Sequence, residues 1–364
     1  MRISQLLIGA NPGDAVTEAA LRLQGAYSRI AESQVFAVHI HPELDGRVLK
    51  FEQFPLDGTP EDVLIVHVSI GEPGIVDFVA NCPERVILSY HNITPASFFE
   101  SFEPGFAARL RSGRWDLKNL AGTALGAIAD SAFNACELEA LGMVDVEVAP
   151  PPLHLDRLHL VEPDPDLTAH LKQVQDPIVL VVGQILPHKR ADLAVDALHL
   201  LNVNHLPGAR MYLAGRFTNP TWSSALIRHV ESLKLDTVRV LGAVTDAQLG
   251  ALYRRADVLL VPSEHEGFCV PLVEAFSFGV PAIGRAFGAI PETAGDAALV
   301  LPRDAGPAEM AEAMARVLSD RNVRTEMRRR GLERSVHFTA DATLGASVAA
   351  LARVLQRANA AGLP

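Results

Sequence analysis

Residues 262–276 read Pro-Ser-Glu-His-Glu-Gly-Phe-Cys-Val-Pro-Leu-Val-Glu-Ala-Phe, a stretch that gathers side chains able to handle a charged ligand. An apolar run reaching Val261 precedes it and reads as a strand. Pro271 suits the first turn of a helix, where its missing N–H costs no hydrogen bond. The helix is predicted to pass Glu274 and to stop at Gly279, before Val280-Pro281 opens another strand. The amides of Gly267, Phe268, Cys269 and Val270 then lie at a helix N-terminus, whose partial positive charge attracts an anion such as a diphosphate. Glu266 and Glu274 flank that end. Carboxylates are poor phosphate ligands but good acceptors for hydroxyls, so they suit a sugar and a ribose on either side of a diphosphate. The plainer alternative, a helix-stabilising carboxylate and a second on a solvated face, fits the local pattern equally well. Cys269 reads as a buried thiol filling space rather than a nucleophile.

Other turns carry further candidates. The run Gly183-Gln184-Ile185-Leu186-Pro187-His188-Lys189-Arg190 follows an apolar strand and places cations where a phosphate could meet them. Gly215 permits close backbone approach, with Arg216 beside it. Thr245 and Gln248, just after Val244, have the spacing of a capping box. In the first half, Gly13 and Asp14 follow the first strand; Asp14 either caps a helix or meets a ligand. His91, with Asn92 and Thr94, follows another strand and either bonds a ligand hydroxyl or is satisfied by its own loop. Ser131 reads as a helix N-cap. Arg109, Arg111, Arg114 and Lys118 form a basic run beside Phe98, Phe99, Phe102, Phe106 and Trp115. It reads first as a solvated helix face, with an acceptor flap or anionic-lipid contact as the alternatives.

The elements that must position these residues alternate between strand and helix. Strands are predicted at 3–8, 35–39, 63–68, 86–89, 178–182, 210–213, 238–241, 258–261 and 282–284, and helices at 16–33, 119–129, 191–201, 223–233 and 247–255. Continuous apolar strands between helices predict doubly wound parallel sheets. Ligands bind such sheets beyond the carboxyl ends of the strands, where all the candidate turns fall. The Pro- and Asp-rich segment 162–166 reads as a linker between a domain at 1–170 and another at 171–339. The apolar-periodic helix that follows, within 340–364, is expected to pack back on the first domain.

Composition removes several classes of function. The chain has 364 residues, 49% of them hydrophobic, enough for two domains with real cores. Three cysteines argue against a disulfide scaffold and for a reducing compartment. A net charge of −11 offers no broad positive field for nucleic acid. No apolar run approaches the ~18–20 residues of a membrane span. The expected location is the cytoplasm, with peripheral contact at the inner membrane face left open. Asp164-Pro165-Asp166 and His39-Ile40-His41 have the spacing of metal ligands but not the surroundings, and no metal site is expected.

Glu266, seven residues, then Glu274 resembles the E-x7-E signature of retaining GT-B glycosyltransferases, family 4 in particular. Glu266-Gly267-Phe268, Pro271-Leu272, Gly279-Val280-Pro281 and Gly288-Ala289-Ile290-Pro291-Glu292 extend the likeness. The resemblance implies a GT-B fold, two Rossmann-like domains facing a deep cleft, with the acceptor side first and the donor side second. It implies that Glu274 binds the donor ribose, that Glu266 binds donor sugar hydroxyls, and that the backbone of Gly267, Phe268, Cys269 and Val270 faces the sugar and phosphates. Gly183 and Lys189 match the family's phosphate-binding turn. Gln184 stands where the family has Arg, and Arg190 where it has Gly; Arg190, Arg216 or Arg285 is expected to make up the charge. Gly215 and Arg216 fall at a donor-contact turn, Val244 beside the base, Gly13 near the phosphates. Asp14, His91, Asn92 and Thr94 fall on the acceptor side, with His91, Lys189 and Glu266 as the catalytic set. The implied activity is retaining, metal-independent transfer from a nucleotide diphosphate sugar to a saccharide or lipid-linked saccharide. No cofactor beyond that co-substrate is implied. The rivals are a non-catalytic nucleotide-sugar-binding homologue and an epimerase or hydrolase on the same fold.

Overall fold

The computed structural model describes residues 1–361. The chain divides into two compact units, residues 1–153 with 340–361, and residues 154–339. The first unit is built on strands β1 (Arg2–Ala10), β2 (Glu32–Ile40), β3 (Leu49–Lys50), β4 (Val63–Val68), β5 (Arg85–Tyr90), β6 (Gly126–Ala129) and β7 (Val146–Val148). They form one sheet in the order β3-β2-β1-β4-β5-β6-β7. The second unit has β8 (Ile178–Val182), β9 (Arg210–Ala214), β10 (Val238–Gly242), β11 (Val258–Val261), β12 (Ala282–Arg285) and β13 (Leu299–Leu301), in the order β10-β9-β8-β11-β12-β13. Neighbouring strands run parallel in both sheets.

Period-two alternation decides which side chain enters which layer. In the second unit Val179, Val181, Met211, Leu213, Val258, Leu260 and Ile283 pack into one core layer, against the helices Ala191–Asn204 and Pro307–Ser319. Their neighbours Ile178, Leu180, Tyr212, Ala214, Leu259, Val261 and Ala282 enter the opposite layer, against Asp246–Arg255 and Val270–Ser277. Both faces are covered, which is why the interior positions of these strands are apolar, with Arg210 and Arg285 only at strand ends. In the first unit the helix Ala340–Ala360 lays Ala350, Leu351 and Val354 over Ile3, Val63, Ile65, Ile87 and Ile128. Among the described residues no single helix is long and apolar enough to cross a membrane.

The strand order reverses between β1 and β4 in one sheet and between β8 and β11 in the other. At such a point the loops leave in opposite directions and open a crevice. The turns after β8 and β11 therefore emerge side by side.

Four expectations need correction. The helix predicted at 16–33 ends at Tyr27, and residues 32 and 33 already belong to β2. The boundary lies at 153/154, not 170/171, because Leu158 and Leu171 are fully buried in the second unit's core. Residues 162–166 are not a free linker: Asp164 caps the helix Pro165–Gln173, its carboxylate accepting from the Leu167 amide at 2.8 Å. Residues 119–129 are not one helix. The helix Pro104–Thr123 ends there and β6 begins, where a Cβ on Gly126 would meet the Asp145 carbonyl and Val354, each at 2.7 Å.

Candidate functional site

In the second unit Lys189 ends the short turn Pro187–Lys189 after β8, and Glu266 lies in the loop after β11. The Lys189 Nζ donates to both oxygens of Glu266 at 2.8 Å, and Ser263 Oγ donates to Oε1 at 2.7 Å. Glu266 is 7% exposed, so this ion pair is screened far less than a surface pair. The loop is fastened at both ends. The Glu264 amide donates to the His188 carbonyl and the Ala289 amide to the Glu266 carbonyl. Gly288 makes the latter approach possible: it has φ +56°, and a Cβ there would lie 2.1 Å from the Glu266 carbonyl oxygen.

Cys269 precedes the helix Val270–Ser277 in a left-handed conformation, φ 76°. Its thiol is buried, and burial, reinforced by Glu266, pushes its pKa well up, so it is a neutral thiol. Glu274, on the same helix, is 3% exposed. Arg157 Nη2 donates to its Oε1 at 2.7 Å and the Tyr253 hydroxyl to Oε2 at 3.0 Å. Each carboxylate oxygen still has a lone pair to offer a hydroxyl.

Glu264 is the second charge centre. Arg190 and Arg285 both bond its Oε1, and Arg190 also grips Asp192, with Nη2 3.0 Å from Oδ2. Arg190 has φ 50° between the turn and the helix Ala191–Asn204. That left-handed region favours glycine. Around Lys189, then, the guanidiniums of Arg190 and Arg285 are already committed to carboxylates. Gln184 and Arg216 are exposed, and Val244 packs at the edge of the core.

In the first unit His91 follows β5. Its Nδ1 is 2.8 Å from Asp130 Oδ2, and its Nε2 is 2.8 Å from His67 Nδ1 and 3.3 Å from Ser89 Oγ. Asn92 turns the other way, at φ 73°, donating to Asn134 and Glu137. Asp14 caps the helix Ala15–Tyr27 through the Thr17 amide at 2.9 Å, and Gly13 before it has φ +69°. Thr94 is half-buried in the same loop as His91. The basic run lies on the helix Pro104–Thr123, where Arg109 pairs with Glu72, Arg111 with Glu100 and Arg114 with Glu137.

Residues 165–334 match the family model of glycosyl transferases group 1. HepE of Anabaena, solved in complex with UDP and glucose, matches 97% of this chain and 100% of its own, with TM-score 0.75 and 16% identity. Sucrose-phosphate synthase from Thermosynechococcus elongatus matches 98% of this chain and 100% of its own, with TM-score 0.72 and 17% identity. The fold is GT-B. The serotype-specific mannosyltransferase WbdA of Escherichia coli is 27% identical over 187 residues, 50% of this chain and 23% of WbdA. The D-inositol 3-phosphate glycosyltransferase of Mycolicibacterium smegmatis is 32% identical over 187 residues, 49% of this chain and 40% of that protein. The chain thus matches well under half the length of these curated relatives.

Within the GT-B frame, the second unit brings Lys189 and Glu266 into direct contact and sets Arg190 against Glu264, beside them. Sequence reasoning passed over Arg157, Tyr253, Ser263, His67 and Gln5, which hold the predicted residues in place. The Thr245–Gln248 capping box forms, and Ser131 caps its helix. Gly215 is required by backbone packing: a Cβ there would lie 1.7 Å from the Gly183 carbonyl oxygen. Neither backbone has room to move, since Gly183 donates to Ala214 and Gly215 to Gly242. Gly215→Ala is expected to cost more than about 4 kcal/mol. Gly345→Ala, in open space on a helix, is expected to gain roughly 0.5–1 kcal/mol. Chemical denaturation of the two variants measures both, and a mild Gly215→Ala would contradict the steric reading.

Proposed function

We propose that this GT-B protein transfers a sugar from a nucleotide diphosphate sugar to a saccharide or lipid-linked saccharide acceptor, with retention at the anomeric carbon and without a metal ion. The observation that carries the reading is the Lys189–Glu266 pair at the β8/β11 reversal, inside the segment that matches group 1 glycosyl transferases. Glu266 holds the ammonium in place. When donor hydroxyls bond Glu266, Lys189 is freed to face the diphosphate. The bond from the anomeric carbon to the phosphate oxygen breaks, and Lys189 with the first-turn amides of Val270–Ser277 stabilises the charge that develops. The acceptor hydroxyl adds from the same face and gives its proton to the departing phosphate. Glu266 positions the sugar through hydrogen bonds and forms no covalent bond to it. Glu274 accepts from the ribose hydroxyls, with Arg157 and Tyr253 keeping its carboxylate aimed. Asp14 and His91 belong to the acceptor side.

One observation favours a second reading, a nucleotide-sugar-binding homologue without turnover. Gln184 lacks the guanidinium of the related pattern, and Arg190 and Arg285 are spent on Glu264. A panel of nucleotide diphosphate sugars, incubated with saccharide acceptors, separates the readings. The expected result is release of nucleotide diphosphate that depends on acceptor, with a product of the donor's anomeric configuration. An inverted product removes the retaining mechanism. Donor binding without release in any combination supports the second reading.

A further inference from the structure

We infer that His91 works as a doubly protonated imidazolium, and that Gln5 and His67 are the positioning residues that keep it so. The inference rests on placing His91 at the acceptor side.

Hydrogen-bond direction is fixed at both ends of a chain of side chains in the first unit's core. The Ala20 carbonyl can only accept, and Gln5 Nε2 lies 2.9 Å from it. The Gln5 amide is therefore turned with its oxygen toward His67 Nε2, 3.1 Å away. That oxygen also only accepts, so His67 carries a proton on Nε2. At the far end the Asp130 carboxylate faces His91 Nδ1 at 2.8 Å, so Nδ1 carries a proton. Between these fixed ends, His67 Nδ1 and His91 Nε2 meet at 2.8 Å. Two lone pairs at that distance repel, so one of the two nitrogens must also be protonated. The two rings together thus hold one proton more than two neutral imidazoles, which is one positive charge.

Its seat is His91. His67 lies on β4, 1% exposed, and burial followed by the neighbouring His91 holds its pKa well below the ordinary value. For His91 burial also works downward, but Asp130 and, farther off, Asp14 outweigh it and raise the pKa. The polar groups that line the small void beside His91 and Asp130, namely Ser89 on β5, Tyr27 and Ser347, are uncharged. An imidazolium has no lone pair, so His91 takes no proton from an acceptor hydroxyl. With both N–H groups bonded inside the unit, its charge stays paired with the Asp130 carboxylate at the carboxyl end of β5.

The test is the long-range proton–nitrogen NMR spectrum of the full chain labelled at histidine. One of the 13 histidines, identified by its loss in His91→Gln, is expected to show both ring nitrogens protonated at pH 7.5. Gln5→Leu lets His67 take the other tautomer and donate to His91 Nε2, so the midpoint of the His91 titration should fall; Asp130→Asn should lower it further. A neutral His91 at pH 7.5 in the unaltered protein, or an unmoved midpoint in Gln5→Leu, overturns the inference. The spectrum reads the proton whether or not any donor turns over, so an imidazolium in a protein without transferase activity sinks the proposed function and sustains this assignment.

Discussion

Lys189→Ala should lower kcat by about 10²–10³-fold, the scale of removing one donor that meets developing oxyanion charge. Binding of the intact nucleotide sugar should weaken much less. The asymmetry follows from the resting structure. Lys189 already has a partner in Glu266, so ground-state binding of a donor exchanges one ion pair for another. Only as the bond to the anomeric carbon breaks does negative charge grow on the diphosphate, and Arg190 and Arg285, held by Glu264, do not replace the ammonium there. Steady-state kinetics with calorimetric titration of the donor measures both quantities. A raised KM with normal kcat would contradict the assignment. Stability must be followed too, because the variant leaves the Glu266 carboxylate buried without its cation. That loss should stay below the ~3–5 kcal/mol of a fully buried pair, because Lys189 is about a quarter exposed. Lys189→Arg restores the charge and should recover stability before it recovers rate, because the planar guanidinium does not reproduce the ammonium's position.

Glu274→Ala should have the second-largest effect, on two observables at once. Affinity for the nucleotide diphosphate should fall on the order of 10–100-fold, the loss of charge-assisted hydrogen bonds to two hydroxyls. Stability should fall by about 2–4 kcal/mol, because the variant strands the two-thirds-buried Arg157 guanidinium and the Tyr253 hydroxyl. Glu274→Gln separates the two. It keeps one acceptor oxygen and the side-chain volume, so it should retain more affinity than Glu274→Ala while still losing the ion pair. Calorimetric titration and thermal unfolding of both variants read these quantities. Unchanged nucleotide affinity in both would remove Glu274 from the ribose site, whatever happened to stability.

The architecture was legible in sequence where the physics was local and repeated. Nine strands were predicted, several of them from continuous apolar runs, and each has its counterpart, because a parallel strand covered on both faces is apolar at most of its positions. The strands that escaped are short or weakly marked: β3, β7, β13 and β6, whose Gly-Ala-Ile-Ala has little strand preference and owes its place to β5, β7 and Val354. The Glu266 loop and Lys189 were legible because they sit on turns of recognisable spacing. Their supports were not. Arg157 reaches Glu274 across more than a hundred residues, and His67 meets His91 only because β4 and β5 are neighbours in register. His67 looked like one more residue of an apolar strand. A histidine in the middle of Val-Leu-Ile-Val-His-Val is the signal that could have found it, since burying an imidazole there requires partners. Asn92 shows the converse. Adjacency to His91 in sequence suggested a shared role, but a left-handed backbone sends its side chain to Asn134 and Glu137 instead.

The discontinuity of the first unit bears on how the protein is made. Residues 1–153 leave the ribosome before the helix Ala340–Ala360 that completes their core exists. Throughout the synthesis of residues 154–339, the apolar face formed by Ile3, Val63, Ile65, Ile87 and Ile128 lacks its cover. The second unit is contiguous and can close as soon as it has emerged. The usual vectorial order of the two units is thereby inverted: the one begun first is finished last, and its complete but uncovered sheet is the species most in need of a chaperone.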